Sequence, residues 1–156
     1  MKTTHGIFWA LILSAAIGAD GFCESKAGKA APVSFDLKSS SGSFATLQVG
    51  ASLFTIRLYD NASAKALEGL LPLEMNMIEL HGNEKYHRLP QDLPANARTP
   101  GKIRAGELML FGSDCLGLFY KNFTTSYAYT KLGFIEDVSG LGAALGRGNA
   151  KVTLSS

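Results

Sequence analysis

The stretch Gly106–Ile135 limits what this chain can fold into more than any other. Two apolar runs, Glu107–Phe111 and Leu116–Tyr120, flank a tight polar corner at Gly112-Ser113-Asp114-Cys115. A third run, rich in Thr and Tyr, ends in Leu132-Gly133-Phe134-Ile135. Short β-prone runs separated by a corner of turn residues read as a strand, a hairpin and a returning strand. The block contains no nucleophile–base pair, metal cluster or phosphate loop, so it speaks to architecture before chemistry.

The same alternation recurs on both sides of this block. Thr46–Val49 and Ser52–Tyr59 flank Gly50-Ala51 as an opening hairpin, with Phe54, Ile56 and Leu58 on one face of the second strand. Asp60 or Asn61 can cap a helix running to about Leu70, which Pro72 stops. Leu73, Met75 and Met77 alternate with Glu74 and Asn76 as a further strand. His81–Arg88 reads as a polar excursion, and Pro90, Pro94 and Pro100 exclude regular helix or central strand from the segment that follows. Ser139 is expected to cap a short helix ending at Gly146, and Lys151–Leu154 to close the chain as a strand. Mostly antiparallel strands with two short helices predict a mainly β fold, a closed barrel with the helices plugging its ends.

The N-terminus has a different character. Lys2 precedes the uncharged apolar stretch Ile7–Ile17, and Gly18 and Ala19 stand before Asp20. A positive flank, a short apolar segment and a small-residue exit are the pattern of a secretory signal peptide over residues 1–19. Residues 20–42, rich in Ala, Ser, Lys and Gly, read as a flexible linker, leaving 43–156 as the folded domain. The expected location is therefore exported, periplasmic or extracellular, with no stable membrane span after cleavage. Cys115 is expected as a buried free thiol, and Cys23 as a mobile one.

Charge excludes one class of partner. A net charge of +2, with Lys and Arg scattered singly, lacks the basic stripe that nucleic acid requires. His81, Glu84 and His87 match no closed ligand spacing, so no metal or cofactor is expected. Gly140-Leu-Gly142-Ala-Ala-Leu-Gly146 is a false dinucleotide fingerprint, since too little chain follows to complete the unit.

Several segments together resemble the bacterial cyclophilin-like domain family. They are Ala64–Leu67 with Leu71-Pro72, Gly82–Tyr86 with Leu89-Pro90 and Leu93-Pro94, Ala105–Leu110, Cys115–Tyr120, and Thr125–Thr130 with Leu132-Gly133. The resemblance covers essentially all of the chain after the linker and implies the eight-stranded barrel of cyclophilins with two capping helices. True cyclophilins are peptidyl-prolyl isomerases that use an arginine in a Phe-His-Arg stretch; Tyr86-His87-Arg88 stands in the corresponding order here. An arginine donor near the prolyl nitrogen favours the non-conjugated amide and so lowers a barrier of about 18–20 kcal/mol. The Phe-Met-x-Gln-Gly-Gly stretch that follows in isomerases is absent, and Thr-Thr-Ser-Tyr-Ala-Tyr replaces their Trp-Leu-Asp-Gly-Lys-His.

Two functional expectations follow. The first is a cell-envelope module that binds a peptide or small molecule against an aromatic face built from Tyr86, Phe119, Tyr120, Tyr127 and Tyr129. The alternative is a weak peptidyl-prolyl isomerase with Arg88 as its catalytic group.

Overall fold

The computed structural model describes residues 42–156; the expected leader and nearly all of the linker, with Cys23, lie outside the described residues. The strands are β1 (Phe44–Val49), β2 (Ser52–Leu58), β3 (Leu73–Leu80), β4 (Glu84–Arg88), β5 (Lys102–Ile103), β6 (Glu107–Phe111), β7 (Cys115–Phe119), β8 (Phe123–Thr124), β9 (Thr130–Ile135) and β10 (Ala150–Ser155). The helices are α1 (Ala62–Glu68) and α2 (Leu141–Leu145). Eight strands close into an antiparallel barrel in the order β1-β10-β3-β4-β7-β6-β9-β2, while β5 and β8 pair separately. The fold is mainly β, as the alternation predicts.

Period-two patterning decides what fills the barrel. Ala45, Leu47 and Val49 of β1 face Ile56 and Phe54 of β2 and Leu154 and Val152 of β10. Leu108 and Leu110 of β6 pair with Leu118 and Leu116 of β7. All of these belong to one buried aliphatic cluster that also takes in Met75, Met77 and Leu132. At a bulge in β9, between the partners of Leu108 and Met109, the register shifts. Gly133 is needed beside it, because a Cβ there would approach the Arg57 carbonyl oxygen to 2.5 Å.

Three expectations need correction. The polar excursion 81–88 contains a full barrel strand, β4, which pairs with both β3 and β7. Its charge pattern hid it: Lys85 lies on the interior face opposite Leu118, where apolar side chains are the rule. The cap of α2 is Gly140, in the left-handed conformation at φ 78°, and not Ser139, whose amide donates to Asp137 instead. Only the end of the Thr/Tyr run is barrel strand, since β9 begins at Thr130 and the residues before it form β8 and a loop. α1 matches its expected position, with Asn61 Oδ1 accepting from the Ala64 amide at 2.8 Å.

Lys85 is fully buried and fully satisfied. Its Nζ donates to Glu79 Oε2 at 2.6 Å and to the carbonyls of Gly146 and Gly148 at 2.9 and 2.5 Å. The Tyr120 hydroxyl donates to Glu79 Oε1 at 2.8 Å, and the Lys85 ammonium lies 5.3 Å from the Tyr120 ring centroid. These bonds tie β3, β4 and the chain leaving β7 to the segment after α2, sealing one end of the barrel. Burial alone would raise the Glu79 carboxyl, but hydrogen bonds from Lys85, Tyr120 and the Gly82 amide hold it below the usual carboxylate range. Removing the ammonium takes the donor from Glu79 Oε2 and from the Gly146 and Gly148 carbonyls and leaves the Glu79 charge without its counter-ion. Lys85→Met, similar in volume, is therefore expected to lose about 3 kcal/mol or more in urea unfolding. A loss below about 1 kcal/mol would show that the seal adds little.

Candidate functional site

With the interior packed and one end sealed, the barrel's outer surface is where a site can form. Cross-strand register sets three outward rows on the β4–β7–β6–β9 flank. Arg88, Cys115 and Phe111 make the first row, Tyr86, Gly117, Met109 and Lys131 the second, and Glu84 and Phe119 begin the third. Outside this flank Ile103, Met109, Phe119 and Tyr129 form a second buried cluster, with Phe111, Phe123 and Tyr127 packed against it. Phe119 and Tyr129 meet edge to face at 5.6 Å between ring centroids, and Phe111 lies 5.6 Å from Tyr129 and 5.9 Å from Tyr127.

The expected site residues therefore separate into three groups. Phe119 and Tyr129 lie in the buried outer cluster and Tyr127 half-buried at its margin, while Tyr86 is buried one row away on the same flank. Tyr120 belongs elsewhere, packed against the interior cluster with its hydroxyl on Glu79. Arg88 shares the outer flank with the aromatic residues. Its exposed guanidinium directs Nη1 at both oxygens of Asp114, at 2.8 and 2.9 Å, and this pairing raises its already high pKa. The partner, Asp114, comes from the β6–β7 corner, 26 residues along the chain. Glu84 and His87 project from opposite faces of β4, three residues apart, and the His87 ring approaches the Asn76 carbonyl. Among the described residues no three His, Cys, Asp or Glu side chains converge as a metal site.

A cleft of about 460 Å³ opens beside this cluster. Its walls are the start of α1 (Asn61–Ser63), the proline-bounded loop from Pro94 to Pro100, and Tyr129–Lys131 leading into β9. Each wall is fastened to its neighbours. The Ser63 hydroxyl donates to the Pro94 carbonyl, and Asn61 Nδ2 donates to the Lys131 carbonyl at 2.9 Å. The Asn96 amide donates to Thr130 Oγ1 at 2.9 Å, and Arg98 and Tyr129 exchange backbone hydrogen bonds of 2.9 and 3.0 Å. The loop is thus held as a short strand-like rim although its prolines bar it from a sheet interior. Tyr129 joins the two features, packing in the aromatic cluster with one edge lining the cleft.

Sequence reading found Tyr129 but missed Arg98 and Lys131. Tyr127, Tyr129 and Lys131 follow one another at period two, so extending that alternation would have found Lys131. Arg98 carries no local signal, because a backbone pairing between distant segments brings it to the cleft.

A carboxyl and a thiol on this flank hold their protons more tightly than usual. Burial, and secondarily the Glu79 carboxylate, pushes Glu84 up to about 7. Burial also pushes the free Cys115 thiol up to about 11, against the opposing pull of Arg88, which leaves it protonated and a poor nucleophile at neutral pH.

The chain's relatives are consistent with this frame. Residues 47–155 match the Cyclophilin-like family. The chain belongs to that family. Among solved structures it is similar to the solution structure of the hypothetical protein AF2241 from Archaeoglobus fulgidus, at 13% identity and a TM-score of 0.50, over 76% of this chain and 97% of that one. This likeness speaks to the fold alone. No curated protein matches the chain.

Glu84 gives a pH-dependent expectation. Its carboxyl binds a proton more tightly folded than unfolded, so its contribution is complete below about 4.5 and is lost as pH rises to about 7. The loss above that range is on the order of 3 kcal/mol. Glu84→Gln should therefore raise the melting temperature at pH 8 and leave it unchanged near pH 4, measured by calorimetry against wild type. A constant difference between the two proteins across that range would contradict the burial of this charge. The Cys115 thiol should resist Ellman's reagent in the native protein at pH 8 and react promptly in denaturant; rapid native labelling would contradict its assigned environment.

Proposed function

We propose that this protein is an exported ligand-binding module that takes a peptide or small molecule in the cleft between α1, the 94–100 loop and the start of β9. The cleft carries this reading. Its size suits a small ligand or a few peptide residues, and its apolar surfaces from Pro94, Ala95, Pro100 and Tyr129 sit among well-placed polar groups. Its walls are crosslinked before any ligand arrives, which lowers the ordering cost of binding. Export rests on the Lys2, Ile7–Ile17, Gly18-Ala19 pattern. No helix among the described residues is long and apolar enough to cross a membrane.

Native mass spectrometry of the protein purified from its exported fraction tests the reading. A retained small mass is expected in wild type and its loss in Ala95→Trp, which fills the cleft from an exposed position. An adduct equally present in both proteins would place the ligand elsewhere, and none in either would remove the support. N-terminal sequencing of the same material should find a start near Asp20; an intact Met1 would defeat the leader assignment.

The isomerase reading has one observation in its favour: Arg88 is exposed on the same outer flank as the aromatic cluster. Asp114 nevertheless occupies Nη1, and neutralising the guanidinium weakens the field that would favour a twisted amide. In a protease-coupled proline isomerisation assay the wild-type rate should equal the uncatalysed rate. Catalysis that Arg88→Ala abolishes would instead make this flank an active site.

A further inference from the structure

The cleft's lining is unbalanced in charge. Among its residues Arg98 and Lys131 are cations, and none is a carboxylate. The Arg98–Tyr129 backbone pairing sets the arginine directly opposite Tyr129 and diagonal to Lys131. Opposite and diagonal residues of an antiparallel pair share a face, with diagonal partners about 7–8 Å apart. Both cations therefore reach the same side of the cleft, flanking the tyrosine.

Their existing partners differ. Among the described residues no ion pair involves Arg98. Lys131 has only a long contact to Glu107 at 3.4 Å, with the lysine half exposed. Glu107 is largely covered, but at that distance the contact to a half-exposed lysine is weak and leaves the ammonium within reach of a second acceptor. By contrast, Arg57 and Arg88 are each committed to an acid, Glu136 and Asp114, at 2.6 and 2.8 Å. Arg98 is thus an arginine held by its backbone at the rim of a preformed cleft with its guanidinium uncommitted. Its planar fork of donors matches a carboxylate in two parallel hydrogen bonds.

We infer that the ligand of this cleft bears a carboxylate, bound by the Arg98 guanidinium with Lys131 as a second cation, while its apolar part lies against Tyr129, Pro94 and Pro100. The inference rests on the cleft being the binding site. The carboxylate can belong to a peptide C-terminus or to a free organic acid, and the same grip serves both. A site of this size receives the acid and a few residues or carbon atoms beside it, not a folded partner's surface.

A titration followed by amide chemical shifts of ¹⁵N-labelled protein separates the possibilities. Three probes are used: acetyl-Ala-Pro-Tyr-Ala with a free C-terminus, the same peptide amidated, and glutarate. Shifts at Thr99, Tyr129, Thr130 and Lys131 are expected with the free-acid peptide, at an affinity at least about tenfold above that of the amide and weakened by added salt. Arg98→Gln should remove that difference, and Lys131→Gln should reduce it. Arg57→Gln, which lies outside the cleft, should leave it intact. Glutarate shifting the same amides as strongly as the peptide points to a free acid; binding by the peptide alone points to a chain terminus, and either supports the inference. Equal affinity for acid and amide, or a difference that survives in Arg98→Gln, overturns the carboxylate while leaving the cleft as a binding site. No cleft shifts with any probe overturn both.

Discussion

Closure of the sheet governs everything else in this molecule. The last strand, β10, lies between β1 and β3, so the beginning and end of the domain are joined through its ladder of hydrogen bonds. Each of the eight barrel strands then has a neighbour on both sides, and no long edge is left open for pairing with another chain. Closure also sorts the side chains. At each barrel position one face of a strand looks into an aliphatic interior and the other outward, so inward positions must be apolar or fully paired.

Lys85 is the exception that this rule predicts in detail. A lysine on the inner face can be kept only where every ammonium proton finds an acceptor, and at this end of the barrel Glu79, Gly146 and Gly148 supply three. The glycine carbonyls belong to the segment that leaves α2, so satisfying one buried charge also fixes the closing segment. The outer flank is organised differently. There a second layer, formed by Ile103, Phe123 and the loop leading to Tyr129, covers the sheet and buries Phe119. Most of the aromatic surface supports the wall; the accessible recess lies beside it, where Tyr129 meets the 94–100 loop.

The fold was legible where side chains alternate cleanly. Phe54-Thr55-Ile56-Arg57-Leu58 and Leu73-Glu74-Met75-Asn76-Met77 name their inner faces without help, and Asp60-Asn61 marks the start of α1, where the structure makes Asn61 the residue that accepts from a first-turn amide. Legibility failed at β4, where interior Lys85 and buried Glu84 invert the usual polarity and two of the lysine's three acceptors, Gly146 and Gly148, lie more than sixty residues away. It failed again at α2, where a backbone conformation available to Gly140 took the place of a side-chain cap. The site was legible only in part. The concentration of aromatic residues pointed to the flank beside which the cleft opens, and Tyr129 lines that cleft, but Tyr120 proved to be part of the end seal. Arg88 attracted attention through a short motif, whereas Arg98 became visible only through tertiary pairing. A local pattern can announce which residues share a face; it cannot announce which distant loop will fold over them.

The barrel closes through β10, paired on one side with β1 and on the other with β3. Native-state amide hydrogen exchange, resolved by residue, tests this closure most directly. The hydrogen-bonded amides of β1 and β10 should exchange as slowly as those of β6 and β7, all at the rate set by global unfolding. Fast, locally controlled exchange confined to β1 and β10, beside a protected remainder, would mean that the barrel stands open along that seam and would contradict the account.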